Sequence, residues 1–221
     1  MAHVGSVECT VPGLGLALRG ERYAPAAPSA KTDEGRWLLL HGWLDNADSF
    51  SQLAPRLCAA DAAIFGDVVA LDMAGHGLSD HRKAPYHVVD FAAEAVAVAD
   101  ELWGKGCRFS VLGHSLGGGV ALLVAGGWPD RIIRVAAVES AGALAARAED
   151  APTSLNKACR RVPSGKSAVF ADAAAAAERR ATKNVIPDKS FTVVEAAILA
   201  KRGLRREGDG VTWRTDPWLL A

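Results

Sequence analysis

Gly113-His114-Ser115-Leu116-Gly117 is the stretch whose residue types and spacing carry the clearest chemistry in this chain. It fits the G-x-S-x-G pattern of a serine held on a sharp turn between a strand and a helix. Such a turn exposes the hydroxyl, and the small flanking glycines let the helix lie close to the neighbouring strands. The helix N-terminus then aims free N–H groups at negative charge developing on a carbonyl oxygen. The reaction implied is attack by Ser115 on an ester-like carbonyl, with an acyl-enzyme that water later releases. Five such residues occur by chance, and a glycine-rich turn with an incidental serine is the competing reading. The setting favours chemistry: Val111-Leu112 precede as a strand, and Gly118-Gly119-Val120-Ala121-Leu122-Leu123 follow as a helix.

An oxyanion needs a second donor. His41-Gly42-Trp43 ends another apolar run, Trp37-Leu38-Leu39-Leu40, and a glycine there lets the backbone bend so that the next N–H can face the serine. The backbone amides of Trp43 and Leu116 are therefore the expected oxyanion pair. Asp72 and His76, in Asp72-Met73-Ala74-Gly75-His76-Gly77-Leu78-Ser79-Asp80, could be drawn into a triad with Ser115. A loop of this composition at a strand end is better read as making local turn hydrogen bonds. His81 and His87 read as surface residues.

The elements that must position these groups follow from patterning. Residues 3–20 predict two short strands around a Pro12-Gly13 turn, and residues 21–36, with Pro25, Pro28 and Gly35, predict a loop. Strands are expected at Trp37–His41, Val68–Leu71, Arg108–Leu112 and Ile132–Val138, each short and apolar enough to be buried on both faces. Helices are expected over 49–60, over 86–104 and from the serine to about Gly126. This alternation predicts an α/β fold with a doubly wound, mostly parallel sheet. Beyond Ser140 the texture changes to Ala-rich helical stretches, Ala171–Ala181 and Val193–Lys201, with no convincing buried strand. The chain thus divides into a core over 1–139 and a helical cap over 140–221.

Composition narrows the partners. The 221 residues carry 25 basic and 25 acidic side chains, so no basic field offers itself to nucleic acid and no polybasic patch to a membrane surface. A small-molecule substrate is expected, with no cofactor and no metal. Cys9, Cys58, Cys107 and Cys159 are scattered with no CxxC pair, which suits reduced thiols in an intracellular protein. Charged residues interrupt every long apolar stretch, so no membrane span is expected. Residues 1–10 lack the basic start and apolar centre of a signal peptide. Oligomeric state stays open.

HGWLDNADSF, LDMAGHGLSDH and LGHSLGGG, in this order and spacing, resemble the α/β-hydrolase superfamily, and within it the serine-hydrolase-like subgroup. The likeness is dense from Trp37 to Val138, and LAKRGLRREGDGVTWRTDPWL over 199–219 resembles the end of that subgroup's cap. It implies Ser115 as nucleophile, Trp43 and Leu116 as oxyanion donors, and a structural loop at 72–79. Some members place their acid at the end of the strand after the elbow, where this chain has Glu139. A polar residue that simply ends the strand is an equal reading, and Glu139 is the candidate acid. The resemblance also implies two further strands, and a catalytic histidine in the last loop. No histidine follows His114, so the last two strands and the base are expected beyond residue 221. An apolar edge at Ile132–Val138 and a tail of Trp218-Leu219-Leu220-Ala221 with nothing to pack on point the same way.

Two functions of different class remain. One is a serine hydrolase acting on an ester, thioester or amide of a small apolar molecule; serine at the elbow speaks against relatives that use an aspartate there. The other is a non-catalytic binding protein, or an inactive piece, that keeps the pocket without the base. A dinucleotide site is excluded, because no first glycine pair and no suitably placed acid accompany the elbow.

Overall fold

The computed structural model describes residues 3–26, 33–140, 147–163, 167–182 and 192–220. Two antiparallel strands, β1 (His3–Val11) and β2 (Leu16–Tyr23), open the chain. β2 runs to Tyr23, into the stretch expected to be loop, because Gly20–Tyr23 find a partner in Val68–Leu71 that local patterning cannot reveal. Then follow β3 (Arg36–Leu40), α1 (Leu53–Ala60), β4 (Asp67–Leu71), α2 (Val88–Trp103), β5 (Phe109–His114), α3 (Leu116–Gly127) and β6 (Ile132–Val138). The strand order is β1-β2-β4-β3-β5-β6, with β4, β3, β5 and β6 mutually parallel. This is the expected doubly wound, mostly parallel sheet.

Alternation along β3 shows why the central strands read as unbroken apolar runs. Leu38 and Leu40 face one core, with Val69, Leu71, Phe109 and the buried faces of α2 and α3 (Phe91, Ala95, Val120, Val124). Trp37 and Leu39 face the other, with Phe50, Ala54, Cys58 and Val68. Both faces are covered, so the strands are apolar on both, with buried Ser110 of β5 an exception. α1 begins later than expected, after a 3₁₀ turn over Ala47–Phe50 that Asn46 caps. Started at residue 49, the helix would carry Pro55 in its interior, where the ring clashes with the carbonyl four residues back.

Two expectations are corrected, and a third is met in part. β6 is the outermost strand, the apolar edge expected at Ile132–Val138, and so is not buried on both faces: Val135 and Val138 are 38% and 49% exposed, and no strand pairs with its outer side among the described residues. The region after Ser140 is not helical throughout. It holds α4 (Ala151–Cys159), β7 (Val169–Phe170), α5 (Ala173–Thr182), α6 (Val193–Gly203), β8 (Leu204–Glu207) and β9 (Gly210–Trp213), the strands forming an antiparallel sheet ordered β7-β9-β8. Its hairpin turns on Gly208-Asp209, with Gly208 at φ 58, a local signal that the charged run Arg205-Arg206-Glu207 masks. Finally, the tail does pack: Leu219 is 4% exposed and lies in the main core, against Gly75 and beside Met73, Ala74 and Tyr86.

Of the cysteines, Cys9, Cys58 and Cys107 are buried and Cys159 is exposed, all free. Among the described residues no helix is long and apolar enough to cross a membrane.

Candidate active site

β5 passes into α3 through a single residue, Ser115, held at φ 50 and ψ −113. A non-glycine side chain at positive φ costs roughly 1–3 kcal/mol and persists only where its surroundings over-determine it. They do so here. The Ser115 amide donates to Val138 O at 2.9 Å, and the Gly117 amide donates to His41 O at 3.1 Å. Both flanking glycines are obligatory: a Cβ on Gly113 would sit 2.0 Å from Gly117 O, and one on Gly117 would sit 2.1 Å from Leu40 O.

The register Leu40↔Gly113 brings the end of β3 beside this elbow. Gly42 to Asp45 form a tight turn, closed by the Asp45 amide donating to Gly42 O at 3.1 Å, with Leu44 at φ 62. A Cβ on Gly42 would meet His114 Nδ1 at 2.9 Å, so the glycine is what lets the turn approach the elbow. Leu116, as the first residue of α3, has no intrahelical acceptor for its N–H. The Trp43 amide donates to no acceptor among the described residues. Trp43 and Leu116 thus lie on the two backbone segments that meet at Ser115.

His114 lies between two carboxylates. Its Nε2 is 3.3 Å from Glu139 Oε2, and its Nδ1 is 3.9 Å from Asp45 Oδ2. Glu139 leaves the end of β6 at φ 56, one residue after the carbonyl that holds the Ser115 amide. Its carboxylate faces the histidine that precedes the serine.

Asp72, fully buried, organises the floor. Its Oδ1 accepts from the Ala47 amide at 2.7 Å, and its Oδ2 accepts from the Leu78 amide at 2.8 Å and from Arg202 Nε at 2.5 Å. Arg202 also pairs with Glu21. Burial pushes the Asp72 carboxyl above the usual aspartate range against the pull of Arg202. Burial also works against the Arg202 charge, yet the two carboxylates together hold its pKa above that of a free guanidinium. The loop is structural, as its composition implied, and one residue in the cap end, Arg202, completes it.

The α/β-hydrolase fold family model matches residues 38–219. The chain belongs to that family. A serine hydrolase-like protein of Dictyostelium discoideum is 34% identical over 134 residues, which is 60% of this chain and 34% of that protein. A human serine hydrolase-like protein is 48% identical over 83 residues, 37% of either chain. Among solved structures, a hypothetical protein from Pseudomonas aeruginosa PAO1 superposes with a TM-score of 0.80 at 35% identity, over 98% of this chain and 71% of that one. The thioesterase domain from the curacin biosynthetic pathway gives 0.71 at 25% identity, over 98% and 74%. The chain spans less than half the length of the curated relatives it matches.

Several residues that hold this α/β-hydrolase site together are silent in the sequence. Arg180 of α5 donates to Leu44 O at 3.1 Å and to Asp45 Oδ1 at 2.5 Å. Asn46 Nδ2 donates to Leu199 O at 2.9 Å. Asp216 accepts from the Tyr86 hydroxyl at 2.7 Å, and its amide donates to Gly75 O at 2.9 Å. Asp45 and Asn46 stand within HGWLDNADSF, and Arg202 and Asp216 within the 199–219 patch, so family likeness touches them. Arg180, in an alanine-rich helix, carries no signal of any kind.

Beneath the site lie two buried imidazoles, His41 and His76, with ring centroids 4.9 Å apart. His41 Nδ1 donates to Gly42 O at 2.8 Å, while Nε2 accepts from the Met73 amide at 3.0 Å, an arrangement only the neutral ring satisfies. Burial lowers His41 to about 4 and His76 to about 3. Folded-state values below the unfolded one give stability that is complete above about pH 6.5 and is lost as pH falls toward 4. Each ring contributes a slope of about 1.4 kcal/mol per pH unit across that window. Urea unfolding at a series of pH values should show this slope reduced by one proton in His76→Phe; an unchanged slope would refute the assignment.

Proposed function

We propose that the protein is a serine hydrolase in which Ser115 Oγ attacks the carbonyl of an ester, thioester or amide of a small, largely apolar molecule. The observation that carries the reading is the backbone of Ser115, at φ 50 and ψ −113 between β5 and α3. Holding a serine there costs stability, and it sets the half-buried Ser115 at the N-terminus of α3. The amides of Trp43 and Leu116 are the oxyanion donors of this reading, each contributing roughly 3 kcal/mol to lowering the barrier. The acyl-serine then yields to water, and no metal or organic cofactor takes part. Trp43, 43% exposed, supplies an apolar aromatic face at the mouth of the site.

The proton of Ser115 must go to a base. In the chain order of this family the acid and the histidine follow the serine, and no histidine follows His114 in these 221 residues. The base of this reading is a histidine that follows the serine in chain order. Glu139, against His114, stands as the candidate acid. The second reading is a binding protein with the same pocket, in which no base takes the Ser115 proton and there is no turnover.

Rates on neutral p-nitrophenyl esters, acyl thioesters and anilides, measured on the natural gene product, separate the two. The hydrolase reading expects steady turnover of the esters or thioesters. Saturable binding of all three with hydrolysis at the buffer rate would establish the binding protein instead.

A further inference from the structure

The oxyanion turn is not built by the core alone. Trp43 and Leu44 occupy the two central positions of the turn Gly42–Asp45, and Leu44 takes the positive φ, 62, that such a turn normally gives to glycine or asparagine. A leucine there is strained, so this turn does not hold its shape by local preference. The direction of the Trp43 amide depends on that shape.

The groups that impose it come largely from the region after Ser140. Arg180 of α5 grips the second half of the turn with both terminal nitrogens, one on Leu44 O at 3.1 Å and the other on Asp45 Oδ1 at 2.5 Å. Its guanidinium lies 5.1 Å from the centroid of the Trp213 ring on β9. Trp213 in turn packs so closely on Gly203, at the end of α6, that a Cβ on Gly203 would meet its ring at 2.9 Å. The Asp45 carboxylate, 8% exposed, uses its other oxygen to face His114 Nδ1 at 3.9 Å, next to the nucleophile. The residue after the turn is fixed from the same side, through Asn46 Nδ2 on Leu199 O.

We propose that Arg180 is a positioning residue for the oxyanion hole: docking of α5 sets the Gly42–Asp45 turn, and through it the Trp43 amide. This rests on the serine-hydrolase reading for its catalytic consequence, though not for its structural content. It gives the cap a role in the chemical step as well as in shaping the pocket. A bidentate guanidinium is required, because a lysine ammonium is a point donor that cannot span a carbonyl and a carboxylate in fixed geometry.

The test pairs hydrogen exchange with reactivity in the natural gene product. In Arg180→Met the Asp45 amide, bonded to Gly42 O, should exchange at least tenfold faster, while amides of β3 and β5 keep wild-type rates. The rate of phosphonylation of Ser115 by a fluorophosphonate probe should fall about 10²-fold, the scale expected when a reacting geometry shifts by about 1 Å. The Arg180→Met/Leu44→Gly variant should recover part of that rate, since glycine adopts the turn unaided; a purely structural role for Arg180 gives no such recovery. Unchanged exchange at Asp45 would overturn the proposal, as would faster exchange with an unaltered rate at Ser115. Should Arg180→Met not fold, Asp45→Asn, which keeps shape and loses the charge, is read by the same two measurements. If the wild-type serine does not react at all, the hydrolase reading fails, and exchange at Asp45 alone then decides whether Arg180 holds the turn.

Discussion

Replacing Ser115 by alanine should lower hydrolysis by roughly 10³-fold or more while leaving substrate binding close to wild type. The hydroxyl is the group that attacks in the proposed reaction, and its removal leaves the rest of the site in place. Alanine at φ 50 bears much the same strain as serine, so the fold should not improve or suffer greatly. The effect therefore belongs in kcat and not in KM, and initial-rate kinetics read it directly. A fall in KM-dependent terms alone would assign Ser115 to binding. The remaining activity would measure what the oxyanion donors and proximity supply without a covalent intermediate.

The largest loss of stability should come from Arg202→Met, about 3–5 kcal/mol by urea denaturation at neutral pH. Arg202 bridges two buried carboxylates, Asp72 at 0% and Glu21 at 8% exposure, and is the cation against Asp72 among the described residues, while Glu21 also faces His3 Nε2 at 2.7 Å. Methionine fills much the same volume, so the loss is electrostatic: Asp72 keeps its burial penalty and forfeits its compensating charge. Asp72 cannot be made apolar in exchange, because its oxygens also satisfy the amides of Ala47 and Leu78. The deficit should narrow as pH falls, since burial already raises the Asp72 carboxyl and protonation removes the uncompensated charge. A cost under about 1 kcal/mol would show that the ion triad is replaceable, as some buried ionic clusters are.

The central sheet and elbow were legible because their determinants are local. β3, β4 and β5 are buried on both faces, so they read as unbroken apolar runs, and Gly113 and Gly117 are dictated by contacts of about 2 Å. The edge position of β6 was legible only as a consequence of strand count, since Ile132–Val138 reads like its inner neighbours. What local pattern could not show are pairings across long separations. The end of β2 looked like loop until β4 was beside it. The tail at Leu219 looked unpartnered because its partners lie near residues 73–86. β7, β8 and β9 are short, and their polar residues suit a small sheet lying partly in solvent, so no apolar run announced them. The supports of the Gly42–Asp45 turn are the hardest case: Arg180 touches residues 135 and 136 positions away, in a helix whose composition suggests only helicity.

The assignment of Ser115 as nucleophile is tested most directly by treating the natural gene product with a fluorophosphonate probe and mapping the adduct by peptide mass. The expected result is one phosphonyl group on the peptide bearing Gly113–Gly117, at Ser115, absent in Ser115→Ala. An intact, folded protein that carries no adduct, or carries it on another residue, would contradict the account.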